Sequence, residues 1–205
     1  SKFSIPIRQA LTNLPFFCLI TFRFFKNNWS PKKFCTLLSL LPSIIIILKS
    51  LKILVQKKLN FRFLLIGAGY KGSELKNFVK KNNLSNYVRF AGFKMNAFKY
   101  IGSSDLFILS SKFEGLPNVL IEAQVQGVPI ISSNCSTGPN EILQNGRLGS
   151  LFKVGNYNSL SKLIMNFSNN KNSYLKKANL AKKFLYRYDY EANLDKYYVL
   201  LKKIL

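Results

Sequence analysis

The 205-residue sequence contains no histidine. That absence removes every mechanism built on an imidazole: the Ser-His-Asp triad, the His-ligated zinc site and the His general base. Acidic residues are scarce as well, 8 against 31 Lys and Arg, which gives a formal net charge of +23. The three cysteines, Cys18, Cys35 and Cys135, are odd in number, far apart and never in a C-x-x-C pair. Neither a disulfide framework nor a zinc ribbon is indicated, and a reducing compartment fits best. No apolar run is long enough to span a bilayer: the stretch from Phe34 to Leu48 contains Pro42 and falls short of the roughly 18 to 20 residues required. The opening SKFSIPIRQAL lacks the charged start, apolar stretch and small-residue cleavage site of a signal peptide. Chemistry in this chain is left to carboxylates, backbone amides, lysines and hydroxyls.

What is present argues for a folded domain. Hydrophobic residues make up 48% and aromatics 14%, well above what disordered chains carry. The basic excess has three readings: nucleic-acid binding, attraction to anionic lipid, or coding bias toward Lys, Asn, Ile, Phe and Tyr.

From residue 61 short apolar runs alternate with polar helical segments. Strands are expected at 61–66, 87–93, 105–111, 128–133 and 149–154. Helices are expected at 73–82, near 96–102, at 118–126 with Gly127 as the stop, from about Pro139, and at 157–169; the last 30 or so residues also read as helix. The expected fold is α/β, a Rossmann-like, doubly wound parallel sheet covered on both faces. Such sheets bind ligands at the carboxyl ends of their strands. Residues 1–60 fit the pattern poorly and are expected as an irregular segment with one strand in LPFFCLITFRFF and a helix at 50–58. The expected division is therefore 1–60, a binding domain at 61–170, and C-terminal helices at 171–205.

Two motifs lie at expected strand ends. Gly67-Ala68-Gly69-Tyr70-Lys71-Gly72 is a formal G-x-G-x-x-G between a strand and a helix. The acid that should meet a ribose about 20 positions later is missing, with Arg89 near that place, so a dinucleotide site, a plain glycine turn and a loop facing another phosphate all remain open. The second motif runs from Ser110 to Ala123 and holds two carboxylates. Glu114 falls in the loop after a strand, and Glu122 one turn into the next helix, which Asn118 is placed to cap. Both can face one pocket, beside helix amides suited to a diphosphate; alternatively Glu114 is solvated and Glu122 pairs with a lysine.

The segment FEGLPNVLIEAQVQGVPIISSNCSTGPNEIL resembles the glutamate-pair signature of family 4 (group 1) glycosyltransferases, retaining enzymes of the GT-B fold. The resemblance extends from about Phe61 to about Ser159, through LLIGAGYKGSELKNFVKKNNLSNYVRFAGF and SSDLFILSSKFEG, and covers the donor-binding C-terminal half. It implies that Glu122 binds the ribose of a nucleotide sugar such as a UDP-sugar or GDP-sugar. It also implies that Glu114, the catalytic candidate, contacts the transferred sugar or stabilises positive charge at its anomeric carbon. The amides of Gly115, Leu116 and Asn118, with Val119 beside them, would lie near the diphosphate. Phe93 would pack on the base, and Gly67 and Gly69 would line the phosphate side.

No metal or cofactor is implied, since the family neutralises the diphosphate with an Arg/Lys pair and helix amides; Asp105 is then a strand-start cap. Of that pair Lys33 matches the lysine, while Asn28 stands where the arginine would be, and Arg23 is the available substitute. The family register is expected to resume at KSLKILVQKKLNF.

The function implied is sugar transfer with retention from a nucleotide sugar to a glycan or polyprenyl-linked acceptor. The implied place is the cytoplasm, with peripheral association at the membrane face and a separate N-terminal GT-B domain as a partner; nucleic acid is not favoured. The alternative from composition is a non-catalytic basic module that binds nucleic acid or anionic membrane.

Overall fold

The computed structural model describes residues 19–24, 33–35, 41–67 and 72–203. Seven strands form one sheet: β1 (Leu19–Phe24), β2 (Lys33–Cys35), β3 (Phe61–Ile66), β4 (Val88–Gly92), β5 (Leu106–Leu109), β6 (Ile130–Ser133) and β7 (Ser150–Phe152). The six strands β2 to β7 pair in parallel in the order β4-β3-β2-β5-β6-β7. Counted from β2, this is the 3-2-1-4-5-6 order of a doubly wound sheet, whose strand order reverses between β2 and β5. β1 differs, running antiparallel along β3 with Phe22 opposite Phe63.

Strand chemistry follows from burial on both faces. In β3, Phe61, Phe63 and Leu65 point into one core while Leu64 and Ile66 meet the other. All four residues of β5, LFIL, are buried, as expected of a central parallel strand. The first core is closed by α1 (Leu41–Gln56), α2 (Gly72–Lys81) and α6 (Tyr157–Asn169). The second is closed by α3 (Ala97–Gly102), α4 (Asn118–Gln126) and the single turn α5 (Pro139–Ile142).

α1 begins at Leu41, nine residues before the helix expected there. Pro42 falls in its first turn, where a missing N–H costs nothing. Ile44, Ile47, Leu48, Leu51 and Leu54 then lie on one stripe that is fully buried against the sheet. Burying each such side chain contributes roughly 1.5–3 kcal/mol, enough to override the modest helix propensity of the isoleucines.

Two further helices complete the chain. α7 (Lys171–Lys183) is held by Tyr174, Ala178 and Ala181 and by an ion pair of 3.0 Å from Lys171 to Asp105 at the start of β5. A 3-10 turn (Leu185–Tyr188) leads to α8 (Tyr190–Lys202), none of whose residues is buried. Among the described residues no helix is long and apolar enough to cross a membrane.

Candidate functional site

The carboxyl ends of β3, β4, β5 and β6 bring four loop segments to one edge of the sheet. After β5 the chain runs through buried Ser110 and Ser111 to Glu114. Ser111 Oγ donates to Glu114 Oε1, and Thr137 Oγ1 donates to the Glu114 carbonyl. Ser111 is itself fixed from β6: its carbonyl accepts from Ser133 Oγ at 2.7 Å and from Cys135 Sγ at 3.1 Å. Burial pushes the Cys135 thiol up from its ordinary value, and the Glu114 charge adds to the effect. The thiol is therefore a hydrogen-bonding part of the scaffold rather than a nucleophile.

Ser110 Oγ donates to the Ser43 carbonyl at 2.7 Å. This places the start of α1 beside the end of β5, at the point where the strand order reverses.

The loop from Gly115 to Pro117 is shaped by a close backbone approach. Gly138 has φ +81°, and a Cβ there would stand 2.2 Å from the Gly115 carbonyl oxygen and 2.6 Å from Pro117 Cδ. Only glycine permits that approach in a left-handed conformation. The segment Gly138-Pro139 thus acts as a backstop that sets the height of the Glu114 loop. On its other side the loop is open: a Cβ on Gly115 would meet nothing within 4 Å, and Phe113 and Leu116 are exposed.

α4 follows directly. Asn118 does not cap it; Pro117 holds the cap position and no side chain takes a capping hydrogen bond. With Pro117 setting the turn, Asn118 has become the first helical residue and cannot reach back to its own first turn. The Leu120 N–H already donates to the Pro117 carbonyl at 2.9 Å, which leaves the amides of Asn118 and Val119 to meet an anion at the positive end of the helix. Val119, by contrast, buries its side chain in the core, so it offers the site its backbone alone.

Glu122 lies one turn into α4 and is half-buried. Burial pushes its carboxyl from the ordinary 4.5 up to about 7. Among the described residues it has no ion pair. A half-buried carboxylate that titrates near neutrality is what a hydrogen-bond-donating ligand such as a vicinal diol would relieve.

The remaining expected residues are placed unevenly. Phe93, 55% exposed, follows β4 at the same edge of the sheet. Gly67 sits there too, but its N–H donates to the Gly92 carbonyl at 2.8 Å, so that amide is not available to a phosphate. Gly69 and Asn28 lie outside the described residues.

Lys33 is not brought to the site. Its backbone lies at the amino end of β2, opposite Arg62, and Phe34 already pairs with Leu106 at the start of β5; a parallel strand puts that end on the far edge of the sheet. Arg23 is likewise in strand β1, opposite Arg62. Asp105 is ion-paired with Lys171, and no group of three or more Cys, Asp or Glu among the described residues is gathered as a metal site. Sequence reasoning missed Ser111, Thr137 and Gly138, whose roles depend on loops from two strands meeting.

Comparison with known proteins gives this arrangement its context. The family model for glycosyl transferases group 1 matches residues 27–184. An uncharacterized glycosyltransferase of Methanocaldococcus jannaschii is 39% identical over 97 residues, 47% of this chain and 24% of that protein. A diphospho-undecaprenol 4-alpha-N-acetylgalactosaminyltransferase of Campylobacter jejuni, acting on an N-acetylgalactosamine-N,N'-diacetylbacillosaminyl unit, is 31% identical over 103 residues, 50% of this chain and 28% of that protein. The chain thus spans about a quarter of the length of these relatives.

Among solved structures, a mutant of S. aureus TarM in complex with Fondaparinux, alpha-GlcNAc-glycerol and UDP superposes with TM-score 0.74 at 20% identity, over 86% of this chain and 38% of that one. Anabaena HepE in complex with UDP-glucose superposes with TM-score 0.67 at 19% identity, over 82% and 47%. At such identities the likeness is one of fold.

Proposed function

The chain belongs to the group 1 glycosyltransferases, with one Rossmann-like half of the GT-B fold, and we propose that this half holds a nucleotide-sugar donor for transfer with retention. The observation that carries the reading is the joint placement of Glu114 and Glu122 around the uncapped start of α4. One carboxylate is held by Ser111 at a strand end, and the other is half-buried with its proton affinity raised.

In this reading Glu122 accepts hydrogen bonds from the ribose hydroxyls. The diphosphate rests on the amides of Gly115, Leu116 and Asn118, where the partial positive charge of α4 offsets its own. Glu114 faces the transferred sugar, where a fixed carboxylate favours positive charge developing at the anomeric carbon. Phe93 lies within the same edge to cover the base. The leaving phosphate takes the proton of the acceptor hydroxyl on the face it departs from, so the configuration is retained. The chain has no histidine to take that proton.

The acceptor is a glycan or a polyprenyl-linked saccharide; the undecaprenol-linked substrate in the name of the C. jejuni relative supports that class. Such an acceptor is offered at the cytoplasmic face of a membrane, and it is bound by a second domain, for which the uncovered length of the relatives leaves room. Calorimetric titration of the chain with UDP, GDP and their sugar conjugates tests the reading. Saturable binding that prefers one base and is lost in Glu122→Ala is expected. Equal binding by parent and variant would overturn it.

A further inference from the structure

The last two carbonyls of the single turn α5 are where three parts of the chain meet. The Ile142 carbonyl accepts from Gln124 Nε2 at 3.3 Å and from Arg187 Nη2 at 3.0 Å, which fills both of its lone pairs. The Glu141 carbonyl accepts from the Gln144 N–H at 3.2 Å and also from Arg187 Nη1 at 3.3 Å. One guanidinium thus spans two successive carbonyls, a grip for which its planar fork is suited.

The two donors come from elements remote in sequence. Gln124 lies on α4, two residues after Glu122, and Arg187 lies in the 3-10 turn after α7. Arg187 is itself held in place: its Nε donates to the Phe184 carbonyl at 3.2 Å, and its guanidinium lies 5.2 Å from the centre of the Tyr188 ring. Tyr188 in turn packs against the core that α4 and α5 close. The Gln124 side chain is fully buried, yet among the described residues its Oε1 meets no donor. A half-satisfied buried amide costs stability that an apolar side chain of the same size would not. What the amide supplies at that position is the link from α4 to Ile142.

At the other end of α5, Gly138 stands against the Gly115 carbonyl and Pro117, and Thr137 donates to the Glu114 carbonyl. A turn about 6 Å long, closed by the 2.9 Å bond from the Ile142 N–H to the Gly138 carbonyl, passes a shift at one end to the other. We propose that Arg187 and Gln124 are positioning residues for the donor site: meeting on the Ile142 carbonyl, they fix α5 and so set the Glu114 loop against α4. Each acts through α5 rather than by touching the ligand. The proposal rests on the donor reading above for its consequence, and on the hydrogen-bond geometry for the coupling.

The test uses the full chain and two readouts, backbone amide shifts by NMR and UDP affinity by calorimetry. Arg187→Met should shift amides within residues 138–143 and also those of Glu114, Gly115 and Leu116, and it should weaken UDP binding on the order of tenfold. Arg187→Lys keeps the charge without the fork and should fall between. Gln124→Met removes the unpaired oxygen together with the link. Its urea midpoint should stay or rise while the loop amides shift and UDP affinity falls, a divergence that a purely structural role would not give. Lys177→Met is the control, because it removes a comparable grip, on the Gly146 and Gly149 carbonyls at 2.8 and 2.9 Å. It should lower stability and leave both the loop amides and UDP affinity at parent values.

Shifts confined to α5 and the C-terminal turn in Arg187→Met and Gln124→Met, with the Glu114 loop unmoved, would overturn the proposal. So would UDP affinities in these variants equal to the parent's, or an equal weakening by Lys177→Met. A parent chain that binds no UDP would instead sink the donor reading, and the loop shifts alone would then uphold or overturn the coupling.

Discussion

Replacing Glu122 by glutamine should move the stability of the fold and its affinity for a nucleotide sugar in opposite directions. The carboxyl titrates at about 7 in the folded chain against an ordinary 4.5, because burial disfavours its charge. Between those values the folded protein holds a proton that the unfolded chain has released. The stability this group contributes is therefore full below about pH 4.5 and is lost as pH rises to about 7, with a constant penalty beyond. At about 1.4 kcal/mol per tenfold change in proton affinity, the penalty reaches up to about 3 kcal/mol.

Glutamine has the same shape and no charge to bury. Glu122→Gln should thus change little at pH 4 and stabilise the protein by up to about 3 kcal/mol at pH 8, read as the pH dependence of the urea midpoint. If ribose hydroxyls donate to the carboxylate, the same variant should bind a nucleotide sugar at least tenfold more weakly at pH 8. The parent should bind about tenfold more weakly at pH 6 than at pH 8, releasing a proton, since the ligand's diphosphate diester does not itself titrate there. Calorimetry in two buffers of different ionisation enthalpy counts that proton. A stability difference between variant and parent that is the same at both pH values would refute the burial argument. Unchanged ligand affinity would refute the role.

Three other perturbations follow from the same geometry. Gly138→Ala places a Cβ against the Gly115 carbonyl in a left-handed backbone; it should cost at least about 1–2 kcal/mol and weaken nucleotide binding through displacement of the loop, seen by thermal unfolding and titration together. Ser111→Ala removes the donor to Glu114. It should change stability by about 1 kcal/mol while lowering transfer by the assembled enzyme far more than it lowers nucleotide affinity, as separate rate and binding measurements would show. Lys171→Met breaks the partly buried pair with Asp105; a loss of about 1 kcal/mol is expected, largely insensitive to nucleotide, by denaturant unfolding.

Much of the fold was legible because local signals agreed with one another. The helix Asn118–Gln126 and its stop at Gly127 were readable to the residue, since an αL glycine directly follows an apolar helical pattern. The order of short buried strands and intervening helices gave the parallel sheet. The first turns of α1 were not legible, because SIIIIL is apolar on all sides and carries no period; only packing of Ile44, Ile47 and Leu48 against the sheet selects a helix there.

The site divides in the same way. Glu114 and Glu122 stood out by chemistry and spacing, while their support from Ser111, Thr137 and Gly138 depends on a meeting of two loops remote in sequence. The raised proton affinity of Glu122 is a property of its surroundings and not of its spacing. Lys33 was assigned by its place in a motif, and strand register puts it at the other end of β2.

The central claim, that the start of α4 and its two glutamates form a donor site, is tested most directly by a crystal structure of the chain with bound UDP. The account predicts ribose hydroxyls within hydrogen-bond distance of the Glu122 carboxylate and diphosphate oxygens on the amides of residues 115–118. Nucleotide bound instead along the lysines of α1 and α2, or at the α4 edge with its ribose turned away from Glu122, would contradict it.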